Sequence, residues 1–125
     1  MQALSGLVKL QDLRLADNAL TPERAMTLAP ALVGLRALRR LYLWFNPLGP
    51  EGVVSLLQAV QSLPDLADLY LCGCELSPQG AAPVLPLLQR FSALHKLTLS
   101  RNGFDAESDR QVVRDALPGL YALLF

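Results

Sequence analysis

The sequence predicts an α/β fold: a solenoid of 28-residue repeats with a parallel β-sheet on the concave face and helices on the convex face. Three observations carry that expectation. The segment Leu38-Arg39-Arg40-Leu41-Tyr42-Leu43-Trp44-Phe45-Asn46-Pro47-Leu48 fits L-x-x-L-x-L-x-x-N-x-L. Copies at Leu10, Leu13, Leu15, Asn18 and Leu20, at Leu66, Leu69, Leu71, Cys74 and Leu76, and at Leu94, Leu97, Leu99, Asn102 and Phe104 follow at a constant spacing of 28 residues. After the first three copies, a proline preceded by a capping residue or glycine opens a run with helical spacing.

Residues 1–125 are read as one domain, with four repeat strands starting near 10, 38, 66 and 94 and a partial repeat at each end. Leu4 and Leu7 stand one repeat before Leu32 and Leu35, so the chain is expected to begin inside a convex-side helix with no amino-terminal cap, as a piece of a longer array. In each strand the paired leucines (Leu13 and Leu15, Leu41 and Leu43, Leu69 and Leu71, Leu97 and Leu99) point to one side, and the residues between them point to the other. Asn18, Asn46 and Asn102 then supply amide donors and acceptors where the backbone turns, and Cys74 is read as a buried structural replacement. Thr21-Pro22-Glu23, Gly49-Pro50-Glu51 and Ser77-Pro78-Gln79 are helix starts. Leu28, Leu32 and Leu35, like Leu56, Val60 and Leu63, give the stripe of a helix burying one face. Pro30 falls inside the first helix, and Pro83 and Pro86 predict that the third is kinked or irregular. The fourth helix, over 105–117, is strongly charged and suits an outer position, and Leu120, Leu123 and Phe125 space one last strand.

The 28-residue unit, the helix starts Pro50-Glu51-Gly52 and Pro78-Gln79-Gly80 and the helical convex side resemble the ribonuclease-inhibitor class of leucine-rich repeats, over essentially the whole chain. That class includes ribonuclease inhibitors and the sensor region of NOD-like receptors. The resemblance implies a curved stack that binds a protein, here the carboxyl-terminal part of a larger cytosolic sensor or adaptor. A GTPase-activating module and a ribonuclease-type enzyme inhibitor are the alternatives, and Arg101 is the one side chain offered for the former.

Eleven basic and eleven acidic residues leave no net charge, so nucleic acid is not an expected partner. Nor is a membrane: no apolar run reaches the roughly 18 residues a bilayer span needs. Two cysteines, Cys72 and Cys74, in one C-x-C fit a reducing cytoplasmic setting, or a nuclear one, rather than a disulfide framework. His95 has no second imidazole nearby in sequence, and the C-x-C lacks two further zinc ligands. No catalytic residue, metal or cofactor is expected, and the chain is read as a non-enzyme.

What remains is the exposed side of the sheet. One column runs Asp12, Arg40, Asp68, Lys96, with alternating signs suited to pairing across strands. The next runs Arg14, Tyr42, Tyr70, Thr98. Tyr42, Trp44, Phe45 and Tyr70 are half of the eight aromatic residues, and with a rim of Arg14, Arg40, Asp68 and Lys96 they form the candidate protein-binding site. Self-association through an uncapped edge of Leu4, Leu7, Leu10, Leu13 and Leu15 is also expected.

Overall fold

The computed structural model describes residues 8–125. Five short strands, β1 (Asp12–Arg14), β2 (Arg40–Tyr42), β3 (Asp68–Tyr70), β4 (Lys96–Thr98) and β5 (Ala122–Leu124), form one parallel sheet in chain order. The register sets Leu13, Leu41, Leu69, Leu97 and Leu123 side by side. Strands this short, three residues each, pair because their central leucines are drawn under the sheet. Leu41, Leu69 and Leu97 are wholly buried, as are Leu43 and Leu71 two residues on.

Between strands run α1 (Pro22–Leu32), α2 (Gly49–Val60), α3 (Leu85–Leu88) and α4 (Glu107–Ala116). Thr21 caps α1 by accepting the Arg24 N–H, and Pro22 occupies the first position, where its missing donor costs nothing. Leu28, Leu32 and Leu35 from the first arm, and Leu56 and Val60 from the second, fill the layer beneath the sheet. α1 and α2 pack directly together.

The expected solenoid of 28-residue repeats is corrected: the chain is a small α/β domain with a five-stranded parallel sheet. A 28-residue register holds for β1 to β4, but the helical arms measure 11, 12, 4 and 10 residues, so the convex layer does not repeat. Proline is the cause in the third arm. Ser77 does accept the Gly80 N–H as a cap would, yet Pro83 and Pro86 remove donors from the turns that follow, and only Leu85–Leu88 closes as α-helix. In α4 only Val113 is fully buried, and Phe125 is instead gripped from outside by the Arg110 and Arg114 guanidinium groups, 5.5 and 5.4 Å from its ring centre. Of the edge expected to self-associate, Leu4 and Leu7 lie outside the described residues, Leu13 is buried, and Leu10 and Leu15 are half-buried against the core.

Buried amides close the turns after the strands. The Asn46 carbonyl oxygen accepts the Asn18 and Leu20 N–H groups at 2.8 and 3.1 Å, while its NH2 donates to the carbonyls of Leu15 and Leu43 at 2.8 and 2.9 Å. Asn102 does the same for Cys74 and Leu76, and for Leu71 and Leu99. Cys74, between them, offers only a thiol, which donates to the Leu43 carbonyl at 3.1 Å; burial pushes it up to about 12, so it stays protonated. The second turn compensates. Ala19, Glu75 and Gly103 take positive φ at the equivalent place, which the ring of Pro47 forbids, and there the Leu48 N–H closes onto the Asn46 carbonyl at 2.7 Å; Gly49, like its counterpart Ser77, is left-handed.

Replacing Asn46 by Leu removes the side-chain partner of the part-buried Leu15 carbonyl and Asn18 N–H and of the buried Leu20 N–H, and leaves the Leu43 carbonyl only the Cys74 thiol, whereas Cys74→Ala loses one weak donor and some packing. We predict that Asn46→Leu destabilises the chain by roughly 1–3 kcal/mol more than Cys74→Ala. Urea midpoints measure the difference, and equal shifts would contradict the ladder.

Candidate protein-binding face

Alternation along the strands places Arg14, Tyr42 and Tyr70 side by side on the face opposite the leucines. The Tyr42 and Tyr70 rings stack, 4.4 Å between centres and 3° from parallel. Trp44 meets both edge-on, at 5.3 and 5.7 Å and nearly perpendicular. Rings in these geometries contribute about 0.5–1.5 kcal/mol per pair beyond their buried area, so the three hold one another in place. Burial, reinforced by the Asp68 charge, raises the Tyr70 phenol above its ordinary range and keeps it neutral. The outer ring faces carry cations: the Arg14 guanidinium lies 4.7 Å from the Tyr42 centre and the Lys96 ammonium 5.2 Å from that of Tyr70.

The neighbouring column is an ion-pair ladder that stops early. Arg40 bridges Asp12 at 3.2 Å and Asp68 at 3.3 Å, and its pKa is raised by the hydrogen bond to Asp12 and that neighbour's charge, then by Asp68. Lys96, in register with Asp68, leaves this column to cover Tyr70 instead. Phe45 also stands apart from the aromatic cluster. Its backbone is left-handed (φ 59°), which sends the side chain sideways over Gly73, and the Arg101 guanidinium sits 5.8 Å from its ring centre. So the structure brings together Tyr42, Trp44, Tyr70, Arg14 and Lys96, joins Arg40 and Asp68 through a ladder that also uses Asp12, and gives Phe45 a partner of its own. His95 stacks on exposed Tyr121 at 4.7 Å, a pairing missed although the spacing of Leu120, Leu123 and Phe125, 26 residues after Leu94, Leu97 and Leu99, sets the two side by side. A groove of about 740 Å³ runs along the strand-entry edge beside Arg39, Asp65 and His95, and none of the three clustered rings lines it.

Among the described residues no three potential ligands are grouped to hold a metal, and no helix is long and apolar enough to cross a membrane.

No protein family and no curated protein matches the chain in sequence. Solved structures do match in fold. One is leiomodin-1 actin-binding site 2, with a TM-score of 0.81 at 11% identity, covering 98% of this chain and 75% of that one. Another is the tropomodulin C-terminal domain of Caenorhabditis elegans, with a TM-score of 0.75 at 13% identity, covering 99% and 81%. The expected membership of the ribonuclease-inhibitor class of leucine-rich repeats, NOD-like receptors included, is corrected by these neighbours, and the sensor or adaptor expectation drawn from that class falls with it. The chain has the fold of the leiomodin and tropomodulin domains.

Gly73 generates a sharp test of this face. A Cβ there would stand 2.7 Å from the Phe45 ring, and the backbone is already at φ +65°. Gly73→Ala is expected to cost about 1–3 kcal/mol of stability, and less when Phe45 is also Ala, because part of the penalty is the clash. A double-mutant cycle in urea checks this; strictly additive losses would mean that Phe45 does not lie over Gly73.

Proposed function

We propose that this chain is a non-catalytic protein-binding module whose partner docks on the solvent face of the sheet, centred on Trp44. The observation that carries the reading is the interlocked Tyr42, Tyr70 and Trp44 rings, all part-exposed, the two tyrosines on strands and Trp44 in the turn that follows β2. Large, rigid aromatic side chains are the types that anchor interfaces, since little rotamer freedom remains to be lost on binding. Side chains with catalytic chemistry lie apart from one another: Arg101, the candidate for phosphoryl transfer, lies over Phe45, His95 stacks on Tyr121, and the Cys74 thiol is buried. Both cysteines are free, which supports a reducing compartment, the cytoplasm in particular.

The shared fold with actin-binding site 2 of leiomodin-1 makes actin the first partner to test. Immobilised actin is expected to bind the chain saturably. Trp44→Ala is expected to weaken that binding by about 30-fold, on the order of 2 kcal/mol, while the chain stays folded with a urea midpoint lowered only by the two lost ring pairs, about 1–3 kcal/mol. Unchanged binding by the variant would move the interface off this face, and no binding by the parent chain would remove actin as the partner.

A further inference from the structure

Building on that reading, we infer that the partner segment seated on the sheet is acidic, with carboxylates flanking an apolar centre. Arg14, Lys96 and Arg101 each lie over an aromatic ring, and among the described residues none of the three meets a carboxylate in an ion pair. Elsewhere on the face the carboxylates of Asp12 and Asp68 are both engaged by Arg40. Asp17, at the turn after β1 and one repeat before Phe45, is also acidic and is exposed. The available positive charges therefore stand at the two ends of the ring cluster, Arg14 on β1 and Lys96 at β4, with Arg101 in the turn beyond.

Stacking fixes these cations in position without neutralising them. A ring face attracts a cation through its quadrupole yet leaves the outward N–H donors free, so an arriving carboxylate finds a donor already held in place. Lys96 shows the distinction most clearly, since it is in register with Asp68 but lies over Tyr70. From β1 to β4 is three strand spacings, about 14 Å, the length of some nine or ten residues of helix. A segment of that reach with an acidic residue near each end would put its middle over Trp44.

Trp44 is the only tryptophan in the chain, so its fluorescence reports occupancy of the face directly. The probes are a synthetic helical peptide of about twelve residues with Glu at both ends and Leu in the centre, its Lys-for-Glu twin, and a single-stranded oligonucleotide. We expect a saturable Trp44 response to the acidic peptide that weakens with salt, and a loss of about fivefold or more in affinity for each of Arg14→Ala and Lys96→Ala. Arg90→Ala, after α3 on the helical side, should match the parent chain. No response to the acidic peptide, equal binding of the Lys twin, tighter binding of the oligonucleotide, or an Arg90→Ala loss as large as the others would each overturn the inference. The two readings fail separately: unchanged actin binding by Trp44→Ala removes the face as the interface, whereas if actin binding survives charge reversal at Arg14 and Lys96 but not Trp44→Ala, the module stands and the acidic partner does not.

Discussion

Everything on the exposed side of the sheet depends on buried amides satisfying the backbone where it leaves each strand. A strand of three residues has little ladder of its own, and the turn after it carries N–H and C=O groups into a leucine-filled interior where no water reaches them. Asn46 and Asn102 each satisfy two donors and two carbonyls at once, linking one turn to the one before. That linkage keeps successive strands in step. A slip of one residue would exchange the leucines with the charged and aromatic column, so register and surface are one constraint.

The face inherits its order from this stack. Tyr42 and Tyr70 stack because Leu41 and Leu69 are held side by side, and Trp44 closes against both from the turn that Asn46 sustains. Core and surface are thereby separable in energy: the leucines supply most of the buried apolar area, while the rings add contacts among themselves. A surface of this kind is free to vary its outward residues without altering the fold. Similarity of fold to leiomodin and tropomodulin domains at 11% and 13% identity is what that freedom leads one to expect.

Much of this was legible in the sequence, because leucines two apart and three apart encode which residues must be buried. The strand positions, the amide ladder, the helix stripes and the failure of the third helix at Pro83 and Pro86 all follow from such local rules. The likeness to the leiomodin and tropomodulin domains was not legible, since a leucine pattern reports the demand for packing and fits more than one arrangement of the helical arms. Nor was the regularity of the helical arms, which the strand period alone does not determine. On the face, alternation placed Tyr42 and Tyr70 correctly, but it could not show that Lys96 would leave Asp68 for a ring or that Phe45 would turn away toward Arg101. The first depends on Arg40 reaching Asp68, and the second on a positive φ that no pattern in the sequence announces.

Native-state hydrogen exchange tests the central claim most directly. The Leu20 and Leu76 amides, each held by a buried asparagine side chain, should exchange only with the strand-linked amides of Leu43 and Leu71, through unfolding of the whole domain. Exchange of Leu20 and Leu76 at the rates of exposed turn amides, while Leu43 and Leu71 stay protected, would show that the amide ladder is not what holds the sheet in register.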